Sequence, residues 1–287
     1  MNPPHGQAAL RQALSQGLAR LDAQMLLLQA LGRDPQDRAW LLAHDLDPLP
    51  ATAWARFDHL CQQRLEGVPV AYLVGWRDFH GLRLQVDARV LDPRPDTETL
   101  VEWGLDVLAN RQAPRLLDLG TGSGAIALAL QHQRPDAEVW AVDASADALA
   151  VAQANAQRLQ LPVHCRQGHW LRGWAAAAHA GRVPAAFDLI ASNPPYIRDD
   201  DPHLPALRHE PRQALASGAD GLDDLRQIIA QAPAHLADGG WLLLEHGWDQ
   251  ADAVAALLRQ AGLQAVQHRL DLAGHRRCTG GQHRPTV

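Results

Sequence analysis

Apolar residues recur at three- and four-residue steps through the first part of the chain, which is the period of an amphipathic helix. The first such stripe predicts one helix that ends before Gly32 and Pro35, and its members are Leu10, Leu14, Leu18, Leu21, Met25 and Leu28. A short helix around Trp40 and a longer one over about residues 52–66 follow, each stopped by proline or glycine. We therefore predict a small helical bundle over residues 1–70. Because it carries no reactive cluster, its expected role is structural or partner-binding.

The pattern changes between residues 71 and 95. Residues 71–91 alternate imperfectly between apolar and polar positions and contain two glycines, which predicts a β-hairpin. A stiff, proline-rich joint, Asp92-Pro93-Arg94-Pro95-Asp96, then leads into a predicted helix over about residues 97–109. We therefore predict that residues 71–95 form a hairpin linker between two domains.

From residue 115 onwards, apolar strands alternate with helices of roughly ten to fifteen residues. The predicted strands cover residues 115–119, 138–143, 163–167, 187–192, 240–245, about 263–270 and about 275–279. The predicted helices between them cover residues 125–133, 146–160, 222–236 and 250–260. Strands separated in this way form a mostly parallel sheet with helices on both faces. We therefore predict an α/β, Rossmann-like domain with a seven-stranded sheet over residues 96–287.

The charge composition excludes several reaction classes. The 287 residues include 26 Lys+Arg and 32 Asp+Glu, for a formal net charge of −6, and every basic residue is arginine. A P-loop NTPase needs a lysine that reaches the phosphates, and a Schiff-base enzyme needs a lysine amine. Neither chemistry is available in its usual form. The acidic balance also argues against a protein that coats nucleic acid, which carries a basic surface.

Cysteine and histidine positions predict neither a disulfide framework nor a metal site. Cys61, Cys165 and Cys278 are far apart and form no CxxC pair. The 15 histidines are scattered, with no pair at ligand spacing on one element. The N-terminal residues lack the features of a signal peptide, and no apolar run reaches the roughly 18 residues of a membrane span. We therefore expect a soluble cytoplasmic protein without a metal.

A glycine-rich loop follows the first predicted strand of the α/β part and reads Asp118-Leu119-Gly120-Thr121-Gly122-Ser123-Gly124. In open α/β sheets, ligands bind at the carboxyl ends of such strands. Asp143 closes the second strand 23 positions after Gly120, a spacing that suits a carboxylate binding ribose hydroxyls. The glycines read GxGxG rather than the GxGxxG of dinucleotide sites, and Asp118 favours a cationic ligand. The loop therefore favours S-adenosylmethionine (SAM), with a dinucleotide or a purely structural turn as alternatives.

The fourth strand runs directly into Asn193-Pro194-Pro195-Tyr196, which should lie beside the glycine loop. A planar NH2 nitrogen is a poor nucleophile because its lone pair is delocalised. The Asn193 side-chain oxygen and the Pro194 carbonyl can accept both N–H bonds of such a group and turn its face toward a methyl donor. Proline holds the backbone rigid, and the Tyr196 ring can stack on a planar substrate. These four residues are the predicted catalytic and substrate-binding element, the alternative being a polar turn.

These two motifs together resemble those of class I SAM-dependent methyltransferases that act on a planar amino nitrogen. Three further stretches are similar to the release-factor glutamine methyltransferases (the HemK/PrmC family): residues 93–98, Pro-Arg-Pro-Asp-Thr-Glu; residues 242–247, Leu-Leu-Leu-Glu-His-Gly; and residues 201–204, Asp-Pro-His-Leu. An N-terminal helical bundle is also expected in that family. The resemblance covers essentially the whole chain, and the combination of motifs is specific.

The resemblance implies methylation of the side-chain amide nitrogen of a glutamine, that of the Gly-Gly-Gln motif of peptide chain release factors. SAM would be the cofactor and S-adenosylhomocysteine the product. The positions that match the family's cofactor site are Gly120, Thr121, Gly122, Ser123 and Gly124 for the methionine part, Asp143 for the ribose and Trp170 for the adenine. Asn193 would bind the target amide close to the methyl donor. The expected partner is a release factor, with no nucleic-acid substrate, no membrane and a monomeric enzyme.

Two departures from the family pattern stand out. His169 precedes Trp170 where the family usually has an acid, so we expect differently made adenine contacts. Leu91-Asp92 stands where an apolar pair normally precedes the proline-rich joint, and we expect an effect on the linker alone. Since the chain has no lysine, docking onto a protein partner must use arginine, and Arg94 and Arg198 flank the predicted site. We assign Arg94 to substrate binding.

Three other functions use parts of the same pattern. A DNA adenine methyltransferase uses the same Asn-Pro-Pro-Tyr chemistry but must extrude the base and needs a basic surface, which neither half of the chain has. An enzyme that methylates a glutamine of a ribosomal protein has a different linker signature from residues 94–98. A non-catalytic SAM-binding protein would not need Asn193 and Tyr196. Glu245-His246 ends a predicted strand at the crevice, where the pair supports the site by hydrogen bonds or acts as a base.

Overall fold

Residues 3–284 are described by a computed structural model, and their contacts divide them into two units. One unit comprises the residues up to Trp76 together with Ala206–His209, and the other comprises Arg77–Pro205 together with the residues from Glu210 onwards. The predicted domain limits at residues 70 and 95 stay predictions, because contacts alone do not define parts that fold independently.

The first unit is helical, as its apolar period predicts. Its helices are α1 (Gly6–Ser15), α2 (Arg20–Ala30), α3 (Arg38–Ala43), α4 (Ala51–Leu65) and α5 (Val70–Val74). Its core is centred on α2 and α4, where Leu26, Leu27, Leu28 and Phe57 are each at most 1% exposed. Complete burial of such a side chain contributes about 1.5–3 kcal/mol.

The prediction of one continuous helix through residues 10–28 is wrong, because Gly17 ends the first helix. Gly17 has a left-handed φ of 104°, and its N–H donates to Leu14 while the N–H of Leu18 donates to Ala13. These two bonds form a Schellman motif, which caps a helix C-terminus and is most stable with glycine in the left-handed position. Apolar residues continue at helical spacing beyond the break because a second helix, α2, begins three residues after Gly17.

The β-hairpin prediction is confirmed, with strands β1 (Trp76–Phe79) and β2 (Leu82–Gln85). The first part of the predicted hairpin span is the short helix α5 instead. Pro69 precedes this helix and Gly75, with a φ of 86°, ends it. Its Val, Tyr and Leu residues have strand propensity, so the sequence pattern pointed to a strand there.

The second unit contains the predicted seven-stranded, mostly parallel sheet. Its strands are β3 (Arg115–Leu119), β4 (Glu138–Asp143), β5 (Val163–Gln167), β6 (Phe187–Ser192), β7 (Leu236–Glu245), β8 (Gln264–Leu270) and β9 (Arg276–Gln282). Its helices are α6 (Glu98–Val107), α7 (Ala125–Gln133), α8 (Ala146–Leu159), α9 (Trp174–His179), α10 (Asp223–Gln231) and α11 (Ala251–Gln260). The strand order is β5-β4-β3-β6-β7-β9-β8, and β9 is the one strand of this sheet that runs opposite to the other six. The α/β fold class is therefore confirmed.

Helices cover both faces of this sheet because successive side chains of a strand point to opposite sides. Leu116 of β3 packs in the same apolar cluster as residues of α6 and α7. Its neighbour Leu117 packs in the other cluster, with residues of α10 and α11. Within residues 3–284, no helix has the length and apolar character needed to span a bilayer.

Several elements of the second unit differ from the prediction, including strand β9, which continues to Gln282 instead of ending near residue 279. Helix α9 was not predicted, since a short alanine-rich run in a long connection carries no clear period. Helix α10 ends at Gln231, where residues 232–235 form a 3-10 turn that contains Pro233. Strand β7 consequently starts at Leu236, four residues earlier than predicted.

Candidate active site

A cavity of about 360 Å³ lies at the carboxyl ends of the parallel strands of the second unit. The last residue of β4 and the loops that follow β3, β5 and β6 contribute to its lining, with Asp143 from β4 and Gly120, Trp170 and Asn193 from the loops. Strand register brings three of these together, because Leu119 of β3 pairs with Val142 of β4 and with Ser192 of β6. Gly120, Asp143 and Asn193 each occupy the next position along their strand.

The glycine loop turns three times through left-handed backbone. Gly120, Gly122 and Gly124 have φ values of 71°, 55° and 86°, which favour glycine. Gly120 and Gly122 line the cavity. A Cβ at Gly120 would lie 3.2 Å from the Trp170 ring, so a side chain there would crowd the cavity wall. These two glycines therefore expose the loop backbone to a ligand.

The other predicted loop residues lie beneath the cavity rather than in its lining. Thr121 and Ser123 are buried, and the Thr121 hydroxyl donates to the Asp118 carboxylate at 2.6 Å. Asp118 also accepts the Ala127 N–H at 3.2 Å, and complete burial raises the pKa of this carboxyl to about 7. A Cβ at Gly124 would lie 2.9 Å from the Leu128 side chain in the first turns of α7, so this glycine leaves room for that side chain. In this structure, Thr121, Ser123, Gly124 and Asp118 shape the loop.

Asp143 joins the loop to the start of α8. Its Oδ2 accepts the Gly122 N–H at 2.9 Å and its Oδ1 accepts the Ser145 N–H at 2.9 Å. Burial raises the pKa of Asp143, while these backbone N–H groups oppose that shift. Each carboxylate oxygen has a second lone pair, so the group can still accept from hydroxyls of a ligand in the cavity.

Trp170 forms one wall of the cavity in a left-handed conformation, with a φ of 51°. Its indole Nε1 donates to Asp224 Oδ1 at 3.1 Å, and the Ser217 hydroxyl holds the other Asp224 oxygen at 2.8 Å. His169 also lines the cavity, and its ring lies edge-on to Trp170 with centroids 5.5 Å apart. His169, which stands where the family usually has an acid, therefore borders the same cavity as Trp170.

The Asn-Pro-Pro-Tyr element is held from several sides. The Ser192 hydroxyl donates to the Leu119 carbonyl at 2.6 Å and so ties the end of β6 to β3. Asn193 and Pro195 line the cavity, while Pro194 is buried. The Asn193 Nδ2 donates to the Thr97 hydroxyl at 3.1 Å, which leaves the Asn193 Oδ1 as an acceptor on the cavity side.

Tyr196 completes this element with both its backbone and its ring. Its N–H donates to the Leu215 carbonyl at 3.2 Å, and its carbonyl accepts the Gln250 Nε2 at 3.0 Å. The phenol hydroxyl donates to Glu245 Oε1 at 3.4 Å. Burial raises the pKa of Tyr196 above its usual value, so the ring stays a neutral hydrogen-bond donor.

Glu245 and His246 end β7 as predicted, but they do not line the cavity. Glu245 is 1% exposed, and burial raises the pKa of its carboxyl to about 7. His246 is fully buried, with Nδ1 2.8 Å from the Gly247 carbonyl and Nε2 2.6 Å from the Thr279 hydroxyl. The carbonyl can only accept, so Nδ1 carries the proton and Nε2 accepts from Thr279. His246 therefore acts in packing.

Acid should destabilise the fold through His246. Burial lowers the pKa of His246 to about 4, against about 6.5 in an unfolded chain, so the unfolded state binds more protons between these values. The histidine's contribution to stability is complete above pH 6.5 and is lost as the pH falls toward 4. The His246 contribution alone should amount to a loss of about 2 kcal/mol in the free energy of unfolding between pH 7.5 and 5.0, and urea unfolding of the wild type and of a variant without the imidazole measures it as a difference.

The matched variant His246→Gln isolates this effect. Asp118 and Glu245, whose raised pKa values act in the opposite direction, are present in both proteins and cancel in the difference. Between pH 7.5 and 5.0, the change in the free energy of unfolding should therefore be about 2 kcal/mol more favourable to the folded state in the variant than in the wild type. The same slope in both proteins would contradict a neutral, buried His246.

Arg94 lies in a buried charge cluster and not in the cavity lining. Its guanidinium pairs with Glu210 at 2.5 Å and with Asp92 at 3.4 Å. Arg77 lies 3.6 Å from the same aspartate, and the Asp92 N–H donates to Glu210 at 3.2 Å. Asp92, the departure from the family pattern, is therefore compensated by two arginines rather than being a neutral linker change. The contact of Arg94 with a substrate stays a prediction.

Removing Arg94 should cost more stability than removing an exposed arginine. Arg94→Ala removes the cation that lies between Asp92 and Glu210, two carboxylates whose side chains are at most 6% exposed. We expect the free energy of unfolding, measured in urea, to fall by about 2–3 kcal/mol. Arg198→Ala is the matched control, because Arg198 pairs only loosely with the exposed Asp200 and should cost less than about 0.5 kcal/mol. Equal losses for the two variants would refute the structural role of the cluster.

Thr97, Asp224 and Gln250 are among the residues in and around the site that were not predicted from the sequence. Thr97 belongs to the Pro-Arg-Pro-Asp-Thr-Glu stretch, so its motif was recognised without its contact to Asn193. Asp224 is the second residue of α10 and Gln250 precedes α11, so each resembles an ordinary polar residue at a helix start. Within the described residues, no cluster of three metal-ligating side chains occurs.

The fold and this site define a methyltransferase of class I architecture. Residues 97–261 match the methyltransferase small domain, and residues 5–75 match the PrmC N-terminal domain. A solved methyltransferase from Pyrococcus furiosus shares the fold with a TM-score of 0.52 and 17% identity, over 71% of this chain and 90% of that one.

Relatives narrow the class to one family. The release factor glutamine methyltransferase of Bordetella pertussis is 52% identical over 92% of this chain and 95% of its own length. The protein of the same name from Xylella fastidiosa strain Temecula1 is 50% identical over 96% of this chain and 97% of its own length. The chain belongs to the release factor glutamine methyltransferase family.

Proposed function

We propose that this chain transfers a methyl group from SAM to the side-chain amide nitrogen of the glutamine in the Gly-Gly-Gln motif of peptide chain release factors. The observation that carries the proposal is the Asn193 carboxamide, whose nitrogen is held by Thr97 so that its oxygen is an acceptor in the cavity. The relatives in Bordetella pertussis and Xylella fastidiosa are release factor glutamine methyltransferases, which supports the identity of the substrate. Because release factors act on ribosomes, we infer a cytoplasmic location.

The cavity residues fit SAM. Gly120 and Gly122 bring backbone without side chains to the cavity and would hold the methionine part, while Asp143 would accept from the ribose hydroxyls. Trp170 and His169 supply flat rings for the adenine. Thr121, Ser123 and Gly124 would act indirectly by shaping the loop. When bound, SAM would supply a methyl group from its positively charged sulfur. The bond between sulfur and methyl breaks on transfer, and the sulfur becomes a neutral thioether.

Asn193 and its neighbours would position the target amide. The Asn193 Oδ1 and the Pro194 carbonyl accept the two N–H bonds of the glutamine side chain, so the amide plane is fixed and its face is free for the methyl group. Pro195 lines the cavity and would pack against the flat substrate, whereas the Tyr196 ring, which is not part of the lining, would support the element from behind. Transfer forms an N–C bond, and the nitrogen then releases one of its two protons to water. Positioning supplies most of the rate, since no group of the chain needs to act as a strong base.

The remaining parts serve the partner in this proposal. The helical unit, whose predicted range is residues 1–70, binds the release factor, and Arg94 and Arg198 are the candidate cations at the edge of the site. We expect the enzyme to act as a monomer without a metal, a membrane or a nucleic-acid substrate.

Labelled methyl transfer tests the proposal. The protein is incubated with SAM labelled in the methyl group and with a release factor, a release factor whose Gly-Gly-Gln glutamine is replaced by alanine, a ribosomal protein fraction, or duplex DNA. Label is expected on the intact release factor alone. Label on the alanine-substituted factor, on DNA or on ribosomal proteins in its place would refute the assigned substrate.

A further inference from the structure

The Asp224 carboxylate holds the Trp170 ring, which forms the cavity wall proposed for the adenine. Trp170 is 9% exposed, and its indole Nε1 donates to Asp224 Oδ1 at 3.1 Å. Both residues line the cavity. Trp170 follows strand β5, whereas Asp224 is the second residue of α10, so this hydrogen bond joins two separate elements at the cofactor site.

The conformation of Trp170 needs support from its surroundings. Its φ of 51° lies in the left-handed region, which a bulky residue occupies only where neighbouring contacts hold it there. The ring packs against Gly120, where a Cβ would lie 3.2 Å away. The following N–H, that of Leu171, donates to Gln231 Oε1 at 3.2 Å. Gln231 ends α10, so one helix fixes both the indole and the backbone beside it.

The Asp224 carboxylate is itself fixed by Ser217. The Ser217 hydroxyl donates to Asp224 Oδ2 at 2.8 Å, and the Asp224 N–H donates back to the Ser217 oxygen at 2.9 Å. Ser217 is 3% exposed, and its own N–H donates to the carbonyl of Ile197 at 2.8 Å. Each carboxylate oxygen of Asp224 therefore has a donor within the protein. The carboxylate is oriented before any ligand enters the cavity.

The indole N–H is the single polar group of the Trp170 ring, and Asp224 is its acceptor. Apolar packing alone restrains a flat ring weakly against rotation about its side-chain bonds, whereas a hydrogen bond at one edge fixes that rotation. A wall that is already in place spares a ligand the cost of ordering it.

We infer that Asp224 is a positioning residue for the cofactor, which acts through the Trp170 indole to keep this ring in place as the wall for the adenine. This inference rests on the proposed function, because it needs SAM in the cavity with its adenine beside Trp170. It requires the Asp224 carboxylate and the Trp170 N–H to contribute to SAM affinity as one coupled pair.

A double-mutant cycle tests this coupling. The Kd for SAM is measured by isothermal titration calorimetry, without an acceptor protein, for the wild type, Asp224→Ala, Trp170→Phe and the double variant. Trp170→Phe keeps a flat ring but has no N–H. Each single change should weaken SAM binding about 10-fold, the effect of losing one hydrogen bond to a charged group. Because both changes remove the same bond, the double variant should stay within about 2-fold of the weaker single variant.

Two further variants separate positioning from a general effect on α10. Asp224→Asn keeps an oxygen for the indole, and its NH2 can donate to a Ser217 lone pair, so the Kd should stay within about 3-fold. Asp223→Ala is the matched control, since it removes an exposed carboxylate from the same first turn of α10 and should leave the Kd unchanged. For Asp224→Ala, kcat at saturating SAM and KM for the release factor should stay within about 2-fold.

Additive losses, about 100-fold in the double variant, would overturn the inference, because Asp224 would then contact the cofactor independently of Trp170. An Asp224→Ala protein that binds SAM as tightly as the Asp223→Ala protein would also overturn it. If Asp224→Ala does not fold, as judged by thermal unfolding, Ser217→Ala takes its place in the cycle. That change removes one donor to the carboxylate and should weaken SAM binding about 3-fold, an effect that must disappear in the Trp170→Phe background.

Failure of the proposed function gives a different result. Since the Kd measurements use no acceptor, a wrong assignment of the methylated protein leaves the comparison intact. A wild-type protein that does not bind SAM would refute the proposed cofactor, and this inference with it.

Discussion

Replacing Asn193 by alanine should lower kcat for methyl transfer to a release factor by about 100-fold or more, the size of effect seen when one preorganised polar group is removed from an active site. The truncated side chain has no oxygen to accept the target N–H, and the amide loses the contact that fixes its plane. Positioning is the main source of rate in this reaction, so the loss falls on kcat. Single-turnover transfer of labelled methyl to a saturating release factor measures it directly.

The control for Asn193→Ala is SAM binding measured on the same protein. The Asn193 side chain is only one of several groups around the cavity, so the Kd for SAM should stay within about 3-fold. Unchanged turnover would remove Asn193 from its assigned role. Equal losses of turnover and SAM affinity would mean that the residue shapes the cofactor site instead of the acceptor site.

Asp143→Ala should weaken SAM binding by about 30- to 100-fold, since hydrogen bonds to a charged group contribute about 1.5–3 kcal/mol each. The variant loses the proposed acceptor for the ribose hydroxyls and also frees the Gly122 and Ser145 N–H groups that Asp143 now holds at 2.9 Å. The glycine loop and the start of α8 would therefore lose their common partner. Isothermal titration calorimetry with SAM gives the change in Kd.

Asp252→Ala is the matched control for this loss. Asp252 is an exposed carboxylate on α11 that pairs with Arg276, so its removal should leave the Kd for SAM unchanged. Asp143→Asn should fall between the two, because its amide keeps one oxygen acceptor. An Asp143→Ala protein that binds SAM as tightly as the Asp252→Ala protein would refute the role given to Asp143.

The parallel strands were predictable because local signals coincide there. Strands β3, β4 and β6 are short, mainly buried apolar runs, and a glycine, aspartate or asparagine stands at the point where each meets the cavity. Such runs can be recognised from the local sequence alone, without knowing which strands pair with them. The break at Gly17 was not predictable from periodicity alone, since the apolar stripe resumes in phase beyond it.

Site residues were predictable where a motif carries them and not where a distant contact defines them. Gly120, Gly122, Asp143, Trp170 and Asn193 were named from the sequence, and the structure brings them to one cavity. The pairing of Thr97 with Asn193 joins positions 96 residues apart, and that of Arg94 with Glu210 joins positions 116 apart. No spacing rule reports contacts of that length, so the role of Thr97 was missed and the ion pair of Arg94 was not anticipated.

The Gln250 side chain has a consequence for motion. Its two N–H bonds are shared among the carbonyls of Tyr196, Asp220 and Gly221, which lie 3.0, 3.3 and 3.4 Å from the nitrogen, and its oxygen accepts the Gly247 N–H at 2.8 Å. One amide thus cross-links three segments that are far apart in the chain. None of them can move away without breaking bonds shared with the others, so this rim of the second unit opens as a single cooperative unit in hydrogen exchange. Access of a protein substrate to the Asn-Pro-Pro-Tyr element is then governed by one concerted opening and not by independent loop fluctuations.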